Sequence, residues 1–279
     1  MNARPTSSDG DNSQWSELTT RATSAVILGI LATTFGLIGD WPLTLLAATM
    51  AAIVAFEWIS ITRGRAVREV VLVGASAVAA VALAGFGQPV WAVALIAATA
   101  LTFGVWRRAI WISGGIAYAA GLGISLVVIR ADPVEGLRAL GFVAFVVWGT
   151  DIGAYFVGRK FGGPKLWPAV SPNKTWSGAL GGAAAATLAG LLLVWVSGGQ
   201  LSGSLVIVAL GLSVVSQLGD LFESAIKRRF GVKDASNLIP GHGGLMDRVD
   251  GLTFAAIVAA LVGWAHAGGS EIGRGLLIW

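Results

Sequence analysis

Nine stretches of about 17 to 22 mostly apolar residues recur along the chain, at 22–38, 42–62, 68–86, 89–105, 109–129, 138–158, 178–197, 203–222 and 251–267. At 1.5 Å of rise per helical residue, each is long enough to cross a hydrocarbon core of about 30 Å, with little or no thinning of the bilayer. The pattern predicts an all-α fold, a polytopic integral membrane helical bundle of about nine transmembrane helices. Residues 1–21 read as a polar N-terminal tail, 22–130 as N-terminal transmembrane helices and 131–279 as a C-terminal catalytic transmembrane region. The breaks around Asp40-Trp41-Pro42 and Gly87-Gln88-Pro89 are short enough for a tight hairpin or a broken helix.

Composition agrees with the pattern. Hydrophobic residues make up 55% and charged residues 12% of the chain, and the mean hydropathy is +0.76. Soluble domains average about 25% charged residues. The 39 glycines, which would weaken soluble helices, let helix backbones approach closely in lipid, and Gly182, Ala186 and Gly190 recur at the four-residue spacing such contacts use. With no cysteine there is no disulfide, thiolate metal site or cysteine nucleophile. The polar tail lacks the layout of a cleavable signal peptide, so the first apolar span is expected to stay as an anchor.

Lys and Arg set the expected orientation, because basic loops are retained in the cytoplasm. With the N-terminus inside, 16 of the 19 basic residues fall on the inner side, and only Arg130, Arg138 and Arg274 fall outside. The inner set includes Arg4 and Arg21 of the tail, Arg63, Arg65 and Arg68 after span two, and Arg107 and Arg108 after span four. The same asymmetry explains the net charge of +4, together with anionic lipid headgroups. No nucleic-acid partner is expected.

Polar chemistry collects in the last 130 residues, whereas the first five spans are nearly featureless apart from Glu57, a lone acid in an apolar segment. Asp151, Tyr155 and Arg159 repeat every four residues and share one helical face. A carboxylate there costs about 2.5 to 3.5 kcal/mol on insertion scales, so Asp151 faces either a partner on a neighbouring helix or a polar substrate cavity. Ser171, Asn173, Lys174 and Thr175 open the next helix; they can dock a phosphate on its free N–H groups or form an ordinary turn and cap.

Further on, Ser213, Ser216, Gln217, Asp220, Glu223, Ser224 and Lys227 lay a polar stripe along span eight, and Asp247 and Asp250 stand one turn apart before span nine. Carboxylates from two helices can converge on Mg²⁺, which takes oxygen ligands and keeps waters and substrate phosphates, or can remain a solvated charge cluster. The bases interleaved with them favour a metal and phosphate site. His242, between Gly241 and Gly243, either contacts a nucleotide or bridges a turn, and the second histidine, His266, lies at the far membrane side, which argues against zinc. The chain has no GxxxxGK[ST] phosphate loop. After Asp250-Gly251 it continues LTFAAIVAA, which departs from the CDP-alcohol phosphotransferase pattern.

Ser224, Lys227, Arg228, Lys233, Asp234, Ser236, Pro240, His242, Gly243, Gly244, Asp247, Arg248 and Asp250 together resemble, in register, the signature of the phosphatidate cytidylyltransferase (CDP-diacylglycerol synthase) family. The DxGAYxxGRxxG pattern at Asp151 to Gly162 and the SPxKTxxG pattern at Ser171 to Gly178 extend the resemblance over the C-terminal half. One departure is Ser177, where many members carry Glu.

The resemblance implies transfer of CMP from CTP to phosphatidate, giving CDP-diacylglycerol and pyrophosphate. It also implies Mg²⁺ as cofactor and membrane lipids as surroundings, and suggests a homodimer. The expected place is a bacterial-type inner membrane, with the site on the cytoplasmic side. On this reading Asp220 and Asp247 are the metal ligands, supported by Asp250 and Asp151, and Lys227 and Arg248 complete the catalytic set. Lys174, Arg228 and Lys233 contact phosphate, with Ser171, Asn173, Thr175, His242, Gly243 and Gly244 also in the substrate site. Two other readings remain: a CTP-dependent transferase or kinase acting on an isoprenoid lipid, and an ion transporter that relays cations through Glu57 and Asp151.

Overall fold

The computed structural model describes residues 7–64, 66–106 and 109–279. Arg4, Arg65, Arg107 and Arg108, which enter the orientation argument, lie outside the described residues. Among the described residues ten α-helices follow in order: α1 (Ser7–Ile38), α2 (Asp40–Arg63), α3 (Val67–Gly85), α4 (Pro89–Leu101), α5 (Ile110–Arg130), α6 (Gly136–Phe161), α7 (Trp176–Val196), α8 (Gly203–Arg229), α9 (Met246–Ala267) and the short α10 (Ile272–Leu277). A π-helical turn, Thr102–Trp106, extends α4.

Among the described residues, seven helices are long and apolar enough to cross a membrane: α2, α3 and α5 to α9. The apolar part of α1, Ala22–Ile38, and the stretch Pro89–Val105 are shorter. Of the about nine crossings expected, seven thus have a full-length apolar helix among the described residues and two coincide with the shorter stretches. The break at Asp40 is a tight hairpin, since Gly39 at φ 74° turns the chain between α1 and α2. Arg130 reaches back to donate to Gly36 O at 2.9 Å and Leu37 O at 3.2 Å, so a cation meets the free carbonyls at the end of α1.

The fold departs from all-α at one place. Lys165–Trp167 (β1) and Ser171–Thr175 (β2) form an antiparallel hairpin, where the sequence reads only a turn before a helix. Thr175 ends it: its backbone is extended, and its Oγ1 accepts from Gly178 N at 3.1 Å, which caps α7. Ser177 donates its hydroxyl to Gly162 O, tying the start of α7 to the end of α6.

Small residues set the packing. At Gly182 a Cβ would lie 2.7 Å from Thr150 O of α6, and neighbouring Ala186 is buried, so the small-residue stripe read from the sequence is the α6–α7 contact. Helices α2, α3 and α5 pack through Ala47, Ala51, Ala77, Val81 and Ile116, all fully buried. Away from the hairpin, α10 folds back on α9, and Asp132 fixes it by accepting from Arg274 N at 2.7 Å. His266 serves this end, stacked on Trp279 with its Nδ1 2.9 Å from Gly275 O.

Candidate active site

Two helices run beyond their apolar spans. The first, α8, continues past residue 222 to Arg229, and α9 starts at Met246 rather than 251. Charged residues can hold helical positions there because they turn toward one another instead of lipid. The two helices touch closely: a Cβ on Gly219 would sit 2.7 Å from Asp250 O, and one on Gly251 would sit 2.5 Å from Ser216 Oγ. Asp220 and Asp250, each next to one of these glycines, are thereby held on adjoining helices.

The end of α6, the hairpin, the start of α7, the end of α8 and the start of α9 enclose a cavity of 1070 Å³. Six acids line it (Asp151, Asp220, Glu223, Asp234, Asp247 and Asp250), as do five bases (Arg159, Lys165, Lys174, Lys227 and Arg248). Near balance of charge lets the cavity receive an anion and a cation together. Lys174 from the hairpin is ion-paired with Asp220 of α8. Lys227 bridges two acids, 2.7 Å from Glu223 Oε2 and 2.6 Å from Asp247 Oδ1. The contact with Asp247 is a hydrogen bond; the one with Glu223 is an ion pair without hydrogen-bond alignment, and both Glu223 oxygens are buried without a hydrogen-bond partner among the described residues.

Asp247 also organises the loop before it. Its Oδ2 accepts from Ala235 N at 2.9 Å and Gly244 N at 2.8 Å, which leaves Oδ1 and Lys227 facing the cavity. Asp220, beyond its ion pair, accepts weakly from Ser224 Oγ at 3.4 Å. Asp250 Oδ1 accepts from Gly251 N at 2.8 Å.

Of the residues predicted for the site, Asp151, Asn173, Lys174, Thr175, Asp220, Lys227, Asp247, Arg248 and Asp250 line the cavity. Ser171, Arg228, Lys233, His242, Gly243 and Gly244 do not. Ser171 pairs with Trp167 in the hairpin, and Arg228 and Lys233 are exposed. The glycine-rich segment makes a turn, with Ile239 N donating to Gly243 O at 2.8 Å and His242 N to Ile239 O at 3.0 Å. Gly241 and Gly243 take positive φ, 76° and 83°, where a side chain would be strained. His242 bridges this turn with its backbone, and its Nδ1 is buried without a partner among the described residues.

The predicted site leaves out five groups of the cavity wall, Tyr155, Arg159, Lys165, Glu223 and Asp234, although all but Lys165 stand in the patterns read from the sequence. Tyr155, Arg159 and Lys165 enter the cavity wall, and Arg159 donates to Tyr155 Oη at 2.8 Å; the four-residue spacing from Asp151 was the available signal for the first two. Glu223 stands one turn before Lys227 on the same stripe. Further up that stripe, Ser213 meets Thr150 of α6 at 2.7 Å and Gln217 donates to Ala179 O of α7 at 3.3 Å, so its apolar end serves packing.

Fold and site define a class: a helical membrane protein with a cavity of mixed charge, lined by six acids and five bases. The chain belongs to the Cytidylyltransferase family, whose profile matches residues 19–266. It is similar to a phosphatidate cytidylyltransferase of Brucella suis biovar 1 (strain 1330), 39% identical over 258 residues, which cover 89% of this chain and 94% of that one. A phosphatidate cytidylyltransferase of Haemophilus influenzae is 46% identical over 129 residues, 44% of this chain and 45% of that one. One of Staphylococcus saprophyticus is 44% identical over 134 residues, 48% of this chain and 52% of that one.

Proposed function

We propose that the chain transfers CMP from CTP to phosphatidate. A phosphate oxygen of phosphatidate attacks the α-phosphorus of CTP, the bond from that phosphorus to the bridging oxygen breaks, and pyrophosphate leaves with CDP-diacylglycerol as the other product. The acceptor is already anionic, so no protein nucleophile or strong base is required, and positioning with charge neutralisation supplies the catalysis. One observation carries the reading: residues 151–162, 171–178 and 224–250, far apart in sequence, contribute side chains to one cavity whose acids and bases suit a nucleotide phosphate chain.

Lys174 and Arg248 bind phosphate oxygens in this reading, joined by Arg159 and Lys165 at the hairpin side. Lys227, held between Glu223 and Asp247, keeps a fixed positive charge at the cavity wall. The donor set fits Mg²⁺. Among the described residues no three acidic or histidine side chains form a ready-made cage, but Mg²⁺ usually takes one or two carboxylates and leaves its other positions to water and phosphate. Asp220 is the first ligand of choice, with Asp250 and Asp151 facing the same space; Asp247 has only Oδ1 to offer, in exchange for Lys227. When bound, the ion neutralises charge on the phosphates.

The acyl chains stay in lipid while the headgroup enters from the inner leaflet of a bacterial-type inner membrane. The basic loops at the cavity end, with Arg159, Lys160, Lys165, Lys174, Lys227, Arg228 and Arg229, support a cytoplasmic opening. With the N-terminus inside, this orientation takes nine crossings, the two shorter apolar stretches included.

The test uses purified protein in vesicles with CTP labelled in the α-phosphate, offered phosphatidate or a polyprenyl phosphate. Equal yields of CDP-diacylglycerol and pyrophosphate support the proposal. Release of CDP, or turnover only with the isoprenoid acceptor, overturns it, as does cation flux without nucleotide consumption.

A further inference from the structure

Glu57 sits in α2, in the half of the chain whose described residues line none of the cavity, and is fully buried. Its carboxylate accepts three hydrogen bonds from a segment nearly 180 residues or more away. Oε1 takes Ser236 Oγ at 2.6 Å and Leu245 N at 2.9 Å, and Oε2 takes Met246 N at 2.6 Å. The first N–H groups of a helix have no partner within it, and Leu245, the residue before α9, offers no side-chain cap. Glu57 fills that role from another helix. Its negative charge also meets the positive end of the α9 dipole, which helps offset burial without a basic partner among the described residues. The fit is close, because a Cβ on Gly244 would lie 2.7 Å from Glu57 Oε1.

The capped residues directly precede the chemistry. Asp247 and Arg248 follow Met246, and Asp250 is one turn on. Glu57 and Asp247 hold the same two ends of the loop, Glu57 through Ser236 Oγ and Leu245 N and Asp247 through Ala235 N and Gly244 N. A change at Glu57 therefore shifts the start of α9 and, with it, three side chains of the cavity.

We propose that Glu57 is a positioning residue for the transfer reaction, clamping the loop 235–245 and the first turn of α9 so that Asp247, Arg248 and Asp250 hold their places. This rests on the cytidylyl-transfer reading for its kinetic consequence but not for its structural one. Glu57→Gln keeps the shape but exchanges an acceptor oxygen for an NH₂ group, which opposes a backbone N–H. A misplacement of about 1 Å can cost about 100-fold in rate, so kcat is expected to fall on that order, with KM for CTP held within about 2-fold. Ser236→Ala, which removes the bond to Glu57 and the one that Ser236 Oγ accepts from Leu238 N at 3.1 Å but leaves the α9 cap, is expected to lose less.

Hydrogen–deuterium exchange on the same substrate-free samples gives a readout independent of turnover. Exchange across 235–250 is expected to rise in Glu57→Gln, and to a smaller extent in Ser236→Ala, with peptides of α3 and α7 unchanged. Unchanged exchange in both variants overturns the clamp, whatever the wild-type activity. Faster exchange with wild-type kcat overturns its role in positioning. Inactive wild-type protein with the expected exchange pattern keeps the clamp and removes the transfer reading instead.

Discussion

The two halves of the molecule handle charged groups in opposite ways. In the N-terminal half, polar side chains bond mainly to backbone carbonyls, some on their own helix, as when Thr49 donates to Leu45 O and Thr62 to Trp58 O, and some on a neighbour, as when Ser113 donates to Ala100 O. The ion pair described there, Arg63 with Glu69, is at the rim, 44% and 23% exposed. In the C-terminal half, polar groups reach across helices, and the Lys227 side chain linking Glu223 and Asp247 is only 13% exposed. Surface pairs contribute little to stability, whereas breaking a buried one leaves a charge without compensation. The contrast locates chemistry where a bundle keeps charges inside despite their cost. Glu57 is the exception that joins the halves, and Ser24 adds a second contact by donating to Pro240 O at 3.1 Å.

The largest expected effect falls in the C-terminal half. Asp220→Asn should lower kcat by about 100- to 1000-fold, the scale seen when one preorganised electrostatic contact is removed from a reaction centre. Chelation with EDTA should take wild-type turnover to background, and added Mg²⁺ should restore it. Wild-type rates in the Asn variant at every Mg²⁺ concentration would remove Asp220 as a ligand.

The apolar periodicity made the helices legible, and the alternation of acids and bases between 220 and 250 made the site legible. The hairpin at 165–175 was not, because Ser-Pro-Asn-Lys-Thr carries no apolar alternation and its strand depends on pairing with Lys165 to Trp167. The family resemblance puts His242, Gly243 and Gly244 in the substrate site. The structure sets them in a turn outside the cavity lining, where Gly243 and Gly244 pack against Asp247 and Glu57, a partnership that only the tertiary fold creates. Glu57 was visible as an acid out of place in an apolar span, but nothing local to α2 reveals the backbone N–H groups that it caps.

A smaller effect is expected at Lys174. Lys174→Ala removes the proposed phosphate contact and leaves Asp220 without its ion-pair partner, so kcat/KM for CTP should fall about 10-fold, the scale of one hydrogen bond to a charged group. Unchanged kinetics with both substrates would take Lys174 out of the phosphate site. Ser177→Ala should cost less still. It removes a bond to Gly162 O at the join of α6 and α7 but no charge, and a loss of about 2- to 3-fold in kcat, on the order of half a kcal/mol, is the expected reading.

The smallest effect on chemistry is expected from a change that disturbs packing in the other half. Ala51 is fully buried where α2 meets α3 and α5; a Cβ on nearby Gly123 would already lie 2.4 Å from Val81 Cγ2 and 3.5 Å from Ala51 Cβ. Ala51→Leu overfills this contact and should cost about 1 to 3 kcal/mol of stability, seen as a lower melting temperature in detergent. Ala51 lies six residues before Glu57 on the same helix, about 9 Å along its axis. If α2 acts only as a scaffold at Ala51, turnover per folded molecule should stay within about 2-fold of wild type. A large fall in turnover, together with faster exchange at 235–250, would mean that strain in the N-terminal core travels along α2 to the clamp. The line between the two halves would then run through α2 itself.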